Sequence, residues 1–233
     1  MGSLREIHSL ALPEIKKRFT LNPVTLKYPF PERPLRTLGL AKTDGDVFNS
    51  EKFSRIVFMR INLPVYLAVR SVFLRPRVEL ALPVFDCEIL IMGKKRIFMV
   101  DVQGKGASTG HDDSALFDKL IEIRKRYPDL LKKKTAFGGD KIKSVLSKAV
   151  CEVKITEDED EQALSIFRQY LEVYCEMVEK ATPLSGDALD KAKQDFESYL
   201  KTLIDHDPGF KGYKLLFGKE GGVTRALDIL FDR

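Results

Sequence analysis

Short apolar runs with a two-residue alternation occupy the middle of the chain. Successive side chains of an extended chain point to opposite sides, so such runs predict β-strands. Two of the runs are joined by Met92-Gly93-Lys94-Lys95, a connection short enough for a hairpin with glycine in the turn. Because strands joined by short links pair antiparallel, we predict an antiparallel sheet. The predicted strands are residues 55–62, 66–74, 84–92, 95–103 and 145–155.

Helical periodicity accompanies these strands. Apolar residues recur every three or four positions at 163–178 and 189–203, and more briefly from Leu116 to Ile123, which places them on one face of a helix. A short helix is predicted over 10–19, and five prolines predict an irregular wrap for the rest of residues 1–50. Helices flanking an antiparallel sheet give an α+β fold, a three-layer α/β/α sandwich. We expect one domain over residues 1–233.

Two acidic residues interrupt the apolar strand predicted at 84–92. Asp86 and Glu88 are two positions apart and share one face of the strand, whereas the other face is wholly apolar. A carboxylate that loses its hydration on a core strand has a raised pKa, which suits a proton donor near neutral pH. Structural pairing with Arg60 or Arg70, on neighbouring predicted strands, explains the same acids as readily. Both interpretations stay open at this point.

Composition narrows the class of protein. The 233 residues are 44% hydrophobic and 31% charged, which is ordinary for a globular chain with a full core. Three separated cysteines without a C-x-x-C pair indicate no disulfide framework or metal cluster and favour a reducing compartment. No segment is apolar and long enough to cross a bilayer, so we predict a soluble protein without membrane attachment. The basic runs 124–126 and 132–134 lack interleaved aromatic residues, which argues against nucleic-acid binding.

Sequence motifs for nucleotide binding, zinc proteases and serine hydrolases are absent. The C-terminal part carries D-P-x-x-x-G-Y from Asp207, then F-G-x-E from Phe217 and a final apolar L-F. The central part carries L-R-P from Leu74, L-P-V-F from Leu82, an acid, and V-D-V-Q from Val100. In this order the motifs resemble those of the ferredoxin-dependent bilin reductases.

This resemblance covers roughly residues 55–233 and implies a fold, an activity and partners. Members of the family are α/β/α sandwiches that hold a linear tetrapyrrole, such as biliverdin, between the sheet and the C-terminal helices. They use no bound metal or flavin: reduced [2Fe-2S] ferredoxin supplies single electrons, the substrate passes through radical states, and protein carboxylates supply protons. The resemblance implies a monomer, located in the cytoplasm of a bacterium or phage host, or in the plastid stroma of a eukaryote.

The resemblance also implies site residues. Glu88 takes the position of the family's central-strand aspartate and Asp207 that of its C-terminal aspartate, so both are expected to donate protons. Asp86 shares the face of Glu88, and repulsion between them raises the pKa of one of the two. Ser71 stands where several members have His or Asn. Tetrapyrrole propionates need cations, and the candidates are Arg60, Arg70 and Arg75.

Two departures from the family pattern leave the substrate open. Glu88 replaces an aspartate, and the red chlorophyll catabolite reductases, a divergent branch, are similar in placing a glutamate there. Ser71 has no imidazole, which argues against His-dependent chemistry. The alternatives are an open-chain chlorophyll catabolite as substrate, or a tetrapyrrole-binding protein without catalysis. If the protein is a reductase of either substrate, the basic segment 124–134 is suited to bind an acidic ferredoxin.

Overall fold

An antiparallel sheet, in which each strand pairs with the next along the chain, forms the middle layer of the protein. The computed structural model describes residues 2–32, 37–64, 67–103, 114–135 and 139–233, and within these ranges the sheet has seven strands. The strands are β1 (Asn22–Pro23), β2 (Lys42–Asn49), β3 (Phe53–Leu63), β4 (Leu67–Pro76), β5 (Val84–Met92), β6 (Lys95–Gln103) and β7 (Cys151–Thr156).

Helices lie on both sides of this sheet. They are α1 (Ile7–Lys16), α2 (Ser114–Lys125), α3 (Pro128–Leu131), α4 (Gly139–Ile142), α5 (Asp160–Lys180), α6 (Gly186–His206), α7 (Pro208–Phe217) and α8 (Lys219–Phe231). None of the helices in the described ranges is both long and apolar enough to cross a membrane.

Each face of the sheet has its own apolar core, because strand side chains alternate between the faces. The face that carries Phe85, Cys87 and Ile89 packs against α1, α2 and α5, and we call it the α5 face. The face that carries Val57 and Val84 packs against α6, α7 and α8, and we call it the α6 face. The predicted α+β fold with three α/β/α layers is confirmed.

The N-terminal region differs from the prediction. The irregular wrap expected for this part of residues 1–50 is wrong for Lys42–Asn49, which forms β2 and pairs with β3. The sequence KTDGDVFN predicts no strand because it is mostly polar, as suits a strand near the sheet edge of which only two residues are buried. Helix α1 begins three residues before the predicted start, at Ile7.

The C-terminal half also differs in detail. Strand β7 runs from Cys151 to Thr156, so it begins six residues after the predicted start at Val145 and ends one residue after the predicted end at Ile155. Helices α7 and α8 had no prediction, because each is short and interrupted by glycines that weaken a helical pattern. The predicted hairpin is confirmed: β5 and β6 meet at Met92↔Lys95, and Gly93 has the positive φ that its turn requires. The predicted start of β4, Tyr66, lies outside the described residues.

Helix α8 is tied to the sheet by buried polar contacts. The Arg55 Nε on β3 donates to the Asp228 carbonyl at 3.1 Å, and its Nη2 lies 2.6 Å from the Asp232 carboxylate. The Asp228 carboxylate in turn accepts from the Tyr28 backbone N–H at 2.7 Å. These contacts hold the end of α8, with Phe231, against the α6 face.

Candidate active site

Strand β5 presents both of its acids to the α6 face. In the antiparallel register, Glu88 lies opposite Ser71 on β4, and Asp86 lies opposite Asp101 on β6. Residues opposite each other in a sheet project from the same face. Strand pairing alone therefore assembles three carboxylates and a hydroxyl group beneath α6 and α7.

The junction of α6 and α7 brings Asp207 to the same place. Helix α6 ends at His206, and Pro208 opens α7, so Asp207 is the N-cap between them. Its Oδ1 accepts the backbone N–H of Phe210 at 3.1 Å, as an N-cap carboxylate does. A β-carbon built on Gly209 would lie 2.7 Å from Asp207 Oδ1 and 3.6 Å from Glu88 Oε1. Asp207 and Glu88 therefore face the same small space from opposite walls.

That space is a cavity of about 30 Å³, room for about two water molecules. The carboxylates of Asp86, Glu88 and Asp207 line it together with Ser71. Its apolar wall contains Met59, Phe73, Phe210, Tyr213 and Phe231. The acids therefore meet in a largely apolar chamber between the sheet and the C-terminal helices.

A second cavity of about 310 Å³ adjoins the first and is large enough for part of a small-molecule ligand. Among the lining residues of the two cavities, Gln103 is the one they share. Its Nε2 donates to Asp86 at 2.7 Å, and its Oε1 accepts from the Tyr199 hydroxyl at 3.1 Å. This hydrogen-bonded chain connects the wall of the larger cavity to the acids.

Burial in the small cavity raises the pKa values of Glu88 and Asp207. Burial raises the pKa of Glu88 to about 7, and the nearby charge of Asp207 adds to the rise. Burial also raises the pKa of Asp207, although the backbone N–H groups of Phe210 and Gly209 oppose it. Glu88 is therefore poised to hold and release a proton near neutral pH.

The other two acids, Asp86 and Asp101, differ in the hydrogen bonds that they accept. Burial, followed by the charge of Glu88, raises the pKa of Asp86 well above its usual range, and Asp86 accepts a hydrogen bond from Gln103 Nε2. Asp101 has a pKa raised to about 6 by burial, but it accepts the backbone N–H of Ser147 at 2.9 Å and the Ser147 hydroxyl. Asp101 is therefore hydrogen-bonded to Ser147 in the chain before β7, whereas Asp86 lines the small cavity.

Arg75 lies on the same face as the acids and lines the larger cavity. Its Nη1 donates to the Phe231 carbonyl, and its guanidinium lies 4.2 Å from the centre of the Phe196 ring. Only 7% of the residue is exposed, and its Nε has no hydrogen-bond partner within the described part of the chain. Burial lowers its pKa to about 10, so it is still a cation at neutral pH. Arg75 is therefore a buried positive charge, and within the described part of the chain one of its N–H donors is not hydrogen-bonded.

Arg60 and Arg70 do not reach the acids. They lie opposite each other on β3 and β4 and, by alternation, on the α5 face of the sheet. Arg60 pairs with Asp44 and Asp46, and Arg70 donates to Asn62 at 2.9 Å. The alternative in which these arginines pair with Asp86 or Glu88 is therefore wrong, and their position argues against a role in binding a ligand beside the acids.

The basic segment 124–134 also lies on the side of the α5 face. Part of its charge is compensated, because Lys132 pairs with Asp129 and Lys133 pairs with Glu159, while Arg124 donates a hydrogen bond to the Val150 carbonyl. The structure does not bring this segment to the acids.

Several residues of the site were not singled out from the sequence. Gln103 and Asp101 stand out in the sequence only as members of the V-D-V-Q motif, although the short hairpin between β5 and β6 pairs Asp86 with Asp101. Tyr199 was assigned to an apolar helix stripe, and Gly209 carried no signal. In the described ranges, no group of three or more His, Cys, Asp or Glu side chains is arranged to hold a metal ion.

Comparison with known proteins identifies the family. The model of the family "Ferredoxin-dependent bilin reductase" matches residues 8–232. Phycoerythrobilin:ferredoxin oxidoreductase from Prochlorococcus marinus (strain MIT 9312) is 24% identical over 186 residues, which cover 76% of this chain and 73% of that protein. A crystal structure of phytochromobilin synthase from tomato in complex with biliverdin has the same fold, with a TM-score of 0.78 and 16% identity over 99% of this chain and 86% of that one. The chain belongs to the ferredoxin-dependent bilin reductase family.

Proposed function

We propose that this protein reduces a linear tetrapyrrole of the bilin class, such as biliverdin, with single electrons from reduced ferredoxin. The observation that carries the proposal is the pair Glu88 and Asp207, which face one space from opposite walls and have raised pKa values. Addition of two electrons and two protons to a C=C bond gives a CH–CH bond. Ferredoxin supplies the electrons and the two carboxyl groups supply the protons.

The two cavities support a position for the substrate. The larger one offers an apolar and aromatic wall with the cation of Arg75, which suits a flat π system bearing an anionic propionate. The smaller one offers the acids. A tetrapyrrole that joins both must pass Gln103, which lies between them. We therefore propose that a propionate binds at Arg75 and that a reducible pyrrole ring lies at the side of the acid cavity, within reach of Glu88 and Asp207.

The remaining polar residues have supporting roles. Ser71 lies beside Glu88 across the strand pair and can hydrogen-bond to a substrate lactam or to a water molecule in the chamber. The charge of Glu88 adds to the effect of burial on Asp86 and favours the protonated form of Asp86, so Asp86 lies beside Glu88 as a second protonated carboxyl group.

The function is tested by mixing the protein anaerobically with biliverdin, reduced ferredoxin and its reductase, and by following the visible spectrum. Loss of the biliverdin band with growth of a blue-shifted product is expected. A bound-pigment spectrum that does not change would overturn bilin reduction. Turnover of red chlorophyll catabolite in the same assay would then indicate the other substrate class, and no turnover of either would indicate a tetrapyrrole carrier.

Arg75→Gln is expected to weaken biliverdin binding about tenfold, because one charge-assisted hydrogen bond is lost. Biliverdin dimethyl ester, whose propionates are uncharged, should bind both proteins alike. The measurement is a titration of the visible spectrum, with Arg126→Gln as control, since Arg126 is exposed and lines neither cavity. Equal losses for the acid and the ester would mean that Arg75 acts on the fold and not on the propionate.

Glu88→Gln is expected to change how stability depends on pH. Glu88 has a raised pKa in the folded protein, about 7 against an ordinary 4.5, so its favourable contribution is complete below pH 4.5 and is lost as the pH rises through 7. Between pH 4.5 and pH 8 the free energy of unfolding of the variant should rise relative to wild type by roughly 3 kcal/mol. Urea unfolding at several pH values measures it. A pH-independent difference would show that Glu88 is ionised in the folded protein.

A further inference from the structure

We propose that Gly209 is a positioning residue: because it has no side chain, the Asp207 carboxylate can cap α7 and at the same time face Glu88. The inference rests on the proposed function, since it assigns Gly209 a part in placing one of the two proton donors. Gly209 has no functional group, so its effect on the reaction is exerted through the position of the Asp207 carboxylate.

The space beside Gly209 is bounded by the two acids. The nearest side-chain atoms to a β-carbon at this position are Asp207 Oδ1 at 2.7 Å and Glu88 Oε1 at 3.6 Å. The first distance is shorter than a carbon–oxygen contact allows, so a methyl group would push the Asp207 carboxylate away from its present place. It would also enter the cavity of about 30 Å³ that the acids line.

The backbone gives no reason for a glycine here. Gly209 is the second residue of α7, and it is not among the glycines with a positive φ. A helical glycine costs about 1 kcal/mol relative to alanine. The space between the carboxylates is therefore the physical reason for the missing side chain.

Two other glycines of the C-terminal helices show the contrast. Gly212, in the same helix, has no atom within 4 Å of a built β-carbon. Gly222 on α8 meets the backbone of Tyr213 and Lys214 at 2.5–2.6 Å, so it serves the packing of α8 on α7. Gly209 differs from both because its neighbours are the carboxylate oxygens of the site.

The first test compares Gly209→Ala with the matched control Gly212→Ala. Gly209→Ala should lower the rate of biliverdin reduction about tenfold or more, because a proton donor is displaced, and shift the pH profile of that rate. Biliverdin should still bind, as a titration of its visible spectrum would show. Gly212→Ala should keep the wild-type rate and pH profile. Equal rates and profiles for the two variants would overturn the proposal.

The second test does not depend on turnover. In the Asp207→Ala background the methyl group at position 209 has no carboxylate to displace, so Gly209→Ala should raise the urea midpoint there, as helix propensity predicts. In the presence of Asp207 the same change should lower the midpoint. The same shift in both backgrounds would overturn the proposal. If Asp207→Ala alone keeps the wild-type rate, the proposed role of Asp207 fails instead, whatever the unfolding cycle shows.

Discussion

Glu88→Gln is expected to lower the rate of biliverdin reduction by at least about 100-fold, the usual loss when a general acid is removed. The glutamine side chain has the size and hydrogen-bonding reach of the glutamate but cannot release a proton at neutral pH. Biliverdin should still bind, because the cation of Arg75 and the larger cavity are unchanged. An electron delivered by ferredoxin then has no proton to follow it, and a radical form of the pigment should accumulate. Stopped-flow absorbance and electron paramagnetic resonance measure the rate and the radical.

Glu152→Gln provides the matched control for that experiment. Glu152 is a buried strand glutamate that lies opposite Met99, which itself lies opposite Glu88, so it projects from the same face two strands away. It is not among the lining residues of either cavity. Its replacement should leave the rate of reduction unchanged. Wild-type turnover in Glu88→Gln would remove Glu88 from the mechanism.

Asp207→Asn is expected to slow the reaction about 10-fold or more, or to change the product, because the second proton comes from the other wall of the cavity. Asparagine is as good an N-cap as aspartate, so α7 should keep its start and the protein its stability. Product analysis by chromatography, together with the rate, distinguishes a missing second protonation from a general loss. If the reaction stops before the second protonation, the expected product is a partly reduced pigment.

Asp205→Asn controls for the loss of negative charge near this junction. Asp205 is exposed, pairs with Lys201 at 3.1 Å and has no contact with either cavity. It should keep the wild-type rate and product. If Asp207→Asn also keeps both, Asp207 is an N-cap only and the proton comes from elsewhere in the acid cluster.

Some of the site follows from local sequence. The alternation along 84–92 places Asp86 and Glu88 on one face, and the turn at Gly93 determines the register of β5 against β6. The two long apolar stripes predict α5 and α6, because a helix repeats every 3.6 residues whatever it packs against. These features depend on neighbours within a few residues, which is why the pattern alone contains them.

Other features depend on residues far apart in the chain. The register of β4 against β5, across the turn at Val78–Leu80, places Arg70 on the α5 face, and the register of β3 against β4 then places Arg60 there too, away from Glu88. The family motif identifies Asp207 as a candidate, but its position beside Glu88 results from the packing of α6 and α7 on the sheet.

The sequence by itself therefore determined strands β3 to β6, the two long helices, the family motifs and the position of Asp86 and Glu88 on one face. Only the tertiary structure decided which arginine lines a cavity on the face of the acids, that Gln103 lies between two cavities, and that Gly209 leaves room between Glu88 and Asp207. The physical reason is the range of the interactions. Dihedral preferences and periodicity act within a few residues, whereas a cavity is what remains when segments distant in the chain pack together.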